Sequence, residues 1–153
     1  MLGVPAYGYV NPSHATHLVS KRSMSAPRLT SKSHLYARDN DAQTPTIVTV
    51  KGDGGEVQFN DLIAQGALLN TPTNGYIGFG GFTRFYDSCS STPFLTSPYT
   101  NQVITYDDPQ SLKLKAQLAS QSGILGTSMW DLSGDTATWD LTNALRQGLG
   151  KSG

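Results

Sequence analysis

The chain has 153 residues and a formal net charge of zero, with 37% hydrophobic and 14% charged residues. Its length suits one ordinary domain, and so few charges argue against a fully disordered chain. Neutrality without a recognition motif excludes a nucleic-acid partner, and no stretch is long and apolar enough to cross a membrane. The 16 glycines and 8 prolines favour an extracellular, loop-rich chain that contains β-structure.

The first residues predict a buried strand rather than an export signal. Residues 1–5 are apolar but lack a basic flank, and Pro5 interrupts them, so they do not form a signal peptide. The cellular location therefore stays open. Residues 2–9 (LGVPAYGY) have the apolar content of a short strand that lies between two neighbours.

The irregular segment that follows, residues 10–43, carries two candidate sites. His14 and His17 have the spacing of metal ligands but no third ligand nearby, so we interpret them as structural and predict no metal or cofactor. Residues 21–38 hold five basic side chains and no acid, which would suit a polyanion. We favour a solvated loop, because no regular spacing places these charges on one face. The five are Lys21, Arg22, Arg28, Lys32 and Arg38.

The middle of the chain predicts short strands around one helix. Residues 46–50 are β-branched throughout and residues 82–86 alternate, as strands do, while residues 57–68 carry apolar side chains at helical spacing. Residues 51–55 and 71–81 predict a turn and a loop. Cys89, the only cysteine, cannot form an internal disulfide. We interpret it as a buried apolar residue or as half of a bridge to a partner.

The last third predicts strands that alternate with helices. Residues 103–106 and 124–130 have strand composition. Asp108 and Pro109 predict a helix start, with an acceptor at the cap and Pro at the first helical position, and Gly123 predicts its end. Residues 138–149 predict a final helix. This alternation is typical of a parallel α/β fold.

Two segments of the chain resemble glycoside hydrolase family 18 chitinases of the fungal type. LGVPAYGY at residues 2–9 resembles the seventh barrel strand of the family. The second segment combines TYDDPQS at residues 105–111, GILG at residues 123–126 and MWDLSGD at residues 129–135. It resembles the helix before the eighth strand, that strand and the turn after it.

The resemblance implies an α/β fold, namely a partial (β/α)8 TIM barrel of C-terminal strands with a small α+β insertion domain. Residues 1–9 would form strand seven, residues 10–100 the insertion region, and residues 101–153 the eighth-strand region with the C-terminal helix. The strands at residues 2–8 and 124–130 would pair and leave their outer edges open. The implied partner is a missing N-terminal half of the barrel.

The resemblance also implies a binding site for chitin or chito-oligosaccharides. Trp130 ends its strand and would form the floor under the sugar, because a flat indole face packs on the C–H face of a pyranose. A core aromatic residue is the alternative. Tyr7 and Met129 would also contact the substrate, and Tyr9 stands where Arg is common in the family. The insertion region adds three aromatic candidates for stacking: Phe82, Phe85 and Tyr86.

The resemblance does not extend to catalysis, and we predict no catalytic residue. The family's Asp-x-x-Asp-x-Asp-x-Glu run, whose Glu protonates the leaving oxygen, has no counterpart in the sequence. We interpret Asp107, Asp108, Asp131 and Asp135 as structural, with Asp108 as a helix cap. Three hypotheses follow: a chitinase fragment that does not turn over alone, a protein that binds chito-oligosaccharides without cleaving them, and a segment that completes a barrel in trans.

Overall fold

The computed structural model describes residues 1–13 and 46–151. His14, His17 and the basic residues of 21–38 therefore lie outside the described residues. None of the described helices has the length and hydrophobicity that a membrane span requires. In chain order the elements are β1 (Leu2–Pro5), β2 (Tyr7–Pro12), β3 (Glu56–Gln58), α1 (Phe59–Ala64), β4 (Leu68–Thr71), β5 (Gly75–Gly78), β6 (Thr83–Asp87), β7 (Thr92–Ser97), β8 (Gln102–Tyr106), α2 (Pro109–Gln121), β9 (Thr127–Trp130), a 3-10 turn (Leu132–Gly134) and α3 (Asp140–Gly148).

A two-stranded parallel sheet joins the two ends of the described chain. β1 pairs with β9, so that Val4 lies opposite Met129 and Pro5 opposite Trp130. The predicted pairing of these two strands is confirmed. Because side chains alternate along a strand, Val4 and Met129 share the face that packs on the core. Gly3, Pro5, Ser128 and Trp130 share the opposite face.

The chain changes sheets at Ala6, so residues 2–9 form two strands and not the single strand predicted. The Ala6 N–H donates to the Trp130 carbonyl at 2.8 Å, within the parallel pair. The Ala6 carbonyl instead accepts from the Phe59 N–H at 2.9 Å, on the side of a second sheet. That sheet has five antiparallel strands in the order β3-β2-β8-β7-β6.

The helix start predicted at Asp108 is confirmed. The Asp108 carboxylate accepts from the Ser111 N–H at 3.0 Å, and the Ser111 hydroxyl accepts from the Asp108 N–H at 2.9 Å, which completes a capping box. α2 packs on α3 at Gly148, where a Cβ would lie 2.6 Å from that of Ala116. Helices that approach so closely need glycine at the contact.

In the middle of the chain two predictions are wrong and one strand was not predicted. Residues 46–50 form no strand, because they bond to a loop and a side chain instead of a ladder: the Val48 N–H donates to the Gly80 carbonyl, and the Val50 N–H to the Gln102 side chain. The predicted loop at residues 71–81 contains the β4–β5 hairpin, which turns at Gly75 with φ 64°. β7 was not predicted at all.

Three other predicted elements exist but are shorter than expected. The helix predicted over residues 57–68 is α1, because Glu56–Gln58 pairs with β2 as β3. The strand predicted over residues 124–130 is β9, and Leu125 lies outside it with 99% of its surface exposed. The final helix begins at Asp140, because Trp139 before it has φ 59° and is half exposed.

One hydrophobic cluster lies beneath the β1–β9 pair and the five-stranded sheet. Phe59 is completely buried in it, with its ring centroid 5.0 Å from that of Tyr76 and 6.3 Å from that of Tyr106. Val4 comes from the parallel pair and Leu112 from α2. The two sheets therefore share one core and form one folding unit.

Candidate functional site

Trp130 lies where the two parallel strands end. Its side chain is on the open face of β9, and 74% of the residue surface is exposed. Its backbone is held by the Ala6 N–H. The structure therefore does not bury Trp130 in the core, and its indole ring is available to a flat ligand.

Two tyrosines, Tyr7 and Tyr9, follow Ala6 on β2. The rings of Tyr7 and Tyr9 meet edge to face, with centroids 5.7 Å apart and an interplanar angle of 88°. A hydrogen bond with Tyr9 raises the pKa of the Tyr7 phenol above its usual value. Tyr9 is about half exposed, so an aromatic face stands at the position where the family commonly has Arg.

The other predicted contact residues are less accessible. Met129 packs against the hydrophobic core, on the opposite side of β9 from Trp130, so its role in substrate binding stays a prediction. Phe82 is buried and Phe85 stacks on Phe94 at 5.4 Å. Phe82 is therefore wrong as a stacking residue, because no ring face is free to meet a sugar.

A polar groove of about 560 Å³ follows the edge strand β3 and the start of α1. Three carboxylates and one amine line it, so its charge is negative. No motif in the sequence indicates this groove, because its acids are irregularly spaced. A local β-bridge brings Asp53 and Glu56 together. The residues that line the groove are Lys51, Gly52, Asp53, Glu56, Gln58 and Asp61.

One residue that lines the groove also contacts the turn that follows Trp130. The Gln58 side-chain oxygen would overlap a Cβ at Gly134, the last residue of the 3-10 turn. That oxygen is buried, so it faces the turn and not the open groove.

The four aspartates considered as possible acids make hydrogen bonds or ion pairs within the fold. Asp131 accepts from the Ser133 N–H at 2.9 Å. Asp135 accepts from the backbone N–H groups of Leu141 and Thr142, both at 2.9 Å, at the start of α3. Among the residues that the structure describes, no three acidic, His or Cys side chains are grouped to bind a metal ion.

The adjacent Asp107 and Asp108 form ion pairs with different basic side chains. Asp107 pairs with Lys115 at 2.6 Å, and Asp108 pairs with Arg84 at 2.6 Å. Both carboxylates are buried, so each pair satisfies a charge that burial would otherwise penalise. The interpretation of Asp107 and Asp108 as structural is confirmed by these contacts.

Cys89 does not have the environment that one interpretation required. It is a free thiol on the surface, in the turn between β6 and β7. Its interpretation as a buried apolar residue is wrong, because the Asp87 carboxylate holds the Cys89 N–H at the tip of an exposed turn.

The family model for glycosyl hydrolases family 18 matches residues 1–135. The chain belongs to this family. The resemblance found in two short segments is thereby confirmed. The family 18 chain also shares its fold with solved chitinases, so that its strands and helices are related to the α/β TIM barrel.

A fungal protein is among the relatives of this family 18 chain. A chitinase-like effector from Moniliophthora roreri is 30% identical over 161 residues, which covers 98% of this chain and 37% of the relative. The class V chitinase of Nicotiana tobaccum has a TM-score of 0.59 at 21% identity and covers 99% of this chain. Human YKL-39, a pseudo-chitinase with retained chitooligosaccharide binding properties, has a TM-score of 0.60 at 17% identity and covers 98%.

This family 18 chain spans little more than a third of these proteins. It corresponds to 37% of the effector, 34% of the tobacco enzyme and 35% of human YKL-39. The two solved structures share the fold with it, at identities too low to carry a function across. What the whole proteins bind or cleave therefore enters only as a proposal.

Proposed function

We propose that the chain supplies the aromatic floor of a chito-oligosaccharide cleft and that it binds such sugars without cleaving them by itself. β1 and β9 would correspond to the seventh and eighth strands of a barrel, and residues 10–100 to the insertion region. Tyr7 and Met129 would line the cleft. The observation that carries the proposal is the exposed indole of Trp130 at the carboxyl end of β9.

Physical chemistry supports a sugar as the ligand. A pyranose presents a C–H face to an aromatic ring and hydroxyl groups at its edge. Trp130 offers the ring, and the groove lined by Asp53, Glu56 and Asp61 offers carboxylate acceptors. Tyr7 and Tyr9 add a second aromatic surface. A site of this composition suits a neutral, polyhydroxylated chain better than a phosphate or a nucleic acid.

The acidic residues of the chain support binding without turnover. The present chain has no Asp-x-x-Asp-x-Asp-x-Glu run in its sequence, and its buried aspartates are engaged in caps and ion pairs. A general acid must be protonated and must lie within hydrogen-bond reach of the glycosidic oxygen.

The direct experiment measures binding of N-acetylchitotetraose by calorimetry to the wild-type chain, Trp130→Ala and Trp139→Ala. Trp139 is a matched control, since it is also an exposed tryptophan but lies before α3. We expect Trp130→Ala to weaken binding by roughly 30-fold, the loss of about 2 kcal/mol that a central aromatic contact gives. Trp139→Ala should bind as the wild type does.

Two results would overturn the proposal. Equal affinity of the wild type and Trp130→Ala would remove Trp130 from the site. Release of shorter oligomers from N-acetylchitotetraose by the purified chain would show that it is catalytic by itself.

A second candidate function is completion of a barrel in trans, and the unpaired outer edges of the β1–β9 pair favour it. β1 and β9 pair only with each other in the described part of the chain, and open edges pair readily with further strands. Leu125, two residues before β9, is also exposed. Co-expression with an N-terminal barrel segment from a family 18 chitinase should then restore chitin cleavage, with the catalytic Glu of that segment replaced by Gln as control. No activity above that control would exclude this function.

A further inference from the structure

The residues that hold the turn after Trp130 come from the start of α1. Asn60 donates its side-chain amide to the Ser133 carbonyl at 2.6 Å and to the Asp135 carbonyl at 3.1 Å. These two carbonyls flank Gly134 in the 3-10 turn. One side chain of α1 therefore bonds to the middle of the turn that follows the indole and to the residue that caps its C-terminal end.

The preceding residue of α1 closes a ring of hydrogen bonds around Trp130. The Phe59 N–H donates to the Ala6 carbonyl at 2.9 Å, and the Ala6 N–H donates to the Trp130 carbonyl at 2.8 Å. The path runs from Trp130 through Ala6 to Phe59, and from Asn60 back to Ser133. The backbone on both sides of Asp131 is thus fixed to the same turn of α1.

Close packing leaves this turn no room to shift. A Cβ at Gly134 would overlap the Ala6 carbonyl oxygen and the Gln58 side-chain oxygen, and would lie 2.9 Å from the Ala6 Cβ. Asp131 further holds the turn from within through the Ser133 N–H. The indole itself is exposed, so the position of its backbone, and not packing of the ring, decides which region the ring can reach.

We propose that Asn60 is a positioning residue for Trp130: its amide fixes the turn at residues 131–135 and thereby the indole face that a sugar would meet. This inference rests on the proposed function of Trp130. Asn60 does not need to contact the sugar. Its amide hydrogens are directed to two backbone carbonyls of the turn.

The test compares Asn60→Ala with Asn143→Ala in the intact chain. Asn143 is a matched control, because its amide donates to the Thr138 carbonyl at 3.2 Å, away from the turn. The first measurement is the NMR signal of the Trp130 indole N–H, assigned with Trp139→Phe. We expect this signal to shift or broaden in Asn60→Ala while the Trp139 signal stays in place, and the Trp130 signal to be unchanged in Asn143→Ala.

The second measurement is affinity for N-acetylchitotetraose. Asn60→Ala should bind about tenfold more weakly, as expected for two lost hydrogen bonds that orient a contact, and should add nothing to the loss in a Trp130→Ala background. If Asn60→Ala does not fold, Asn60→Ser replaces it, because the shorter hydroxyl cannot reach both carbonyls.

The possible outcomes separate the two proposals. An unchanged Trp130 signal with unchanged affinity overturns the role of Asn60, even if the melting temperature falls. If the Trp130 signal shifts in Asn60→Ala but the wild-type chain binds no sugar, the role of Asn60 is supported and the proposed function is overturned instead. A further loss of affinity from Asn60→Ala in the Trp130→Ala background would contradict an action through Trp130.

Discussion

The two faces of the β1–β9 pair differ in how deeply their side chains are buried. On one face Val4 is 4% exposed and Met129 packs on the core. On the other, Gly3 has nothing within 4 Å of where its Cβ would be, and Trp130 is largely exposed. The difference shows that one face stabilises the fold, while the other carries an aromatic side chain that stability does not require.

The largest effect that tests this comparison should come from Val4→Ala, with its neighbour Gly3→Ala as control. Val4→Ala removes two buried methyl groups and leaves a cavity, so we expect the free energy of unfolding to fall by about 2 kcal/mol. Gly3→Ala should change it by less than about 1 kcal/mol, in the stabilising direction. Urea unfolding measures both, and equal losses would contradict the assignment of the two faces.

A smaller effect should appear at alkaline pH, because the covered side of the five-stranded sheet holds Tyr106. Burial, and then the nearby Asp108 carboxylate, raise the pKa of this phenol above the ordinary value of about 10. Its contribution to stability is therefore complete below pH of about 10 and is lost as the pH rises toward the folded pKa. The loss per group is about 1.4 kcal/mol per pH unit.

Tyr106→Phe is the variant that isolates this contribution, since it keeps the ring that packs near Phe59. Its unfolding free energy should fall less steeply than that of the wild type above pH of about 10. Tyr99→Phe, at a tyrosine that is 69% exposed, is the control and should retain the wild-type slope. Identical slopes for Tyr106→Phe and the wild type would show that Tyr106 is not protected from ionisation.

Local signals in the sequence predicted the ends of the chain better than its middle. Asp108, Pro109 and Ser111 define a helix start by themselves, since the capping box needs no distant partner. The β-branched residues 46–50 gave the opposite result. Their expected strand depended on a neighbour, and the fold places the Gln102 side chain beside Val50 instead. Tertiary contacts decide strand pairing in such cases.

The candidate site was predictable only where a single residue carries it. Trp130 was found because it ends a strand in a segment that resembles the family. The role of Asn60 was not predictable, because its contact joins α1 to a turn more than 70 residues later in the chain. No periodicity records such a contact. The exposure of Cys89 likewise depends on the turn between β6 and β7.

Ala6 restricts movement between the two sheets that it joins. Its amide belongs to the parallel pair, and its carbonyl bonds on the side of the five-stranded sheet. The five-stranded sheet cannot swing about this residue as a hinge without breaking a hydrogen bond on each side and moving a completely buried side chain. The orientation of the two sheets is consequently set during folding, so a ligand of the proposed site would not have to order them when it binds.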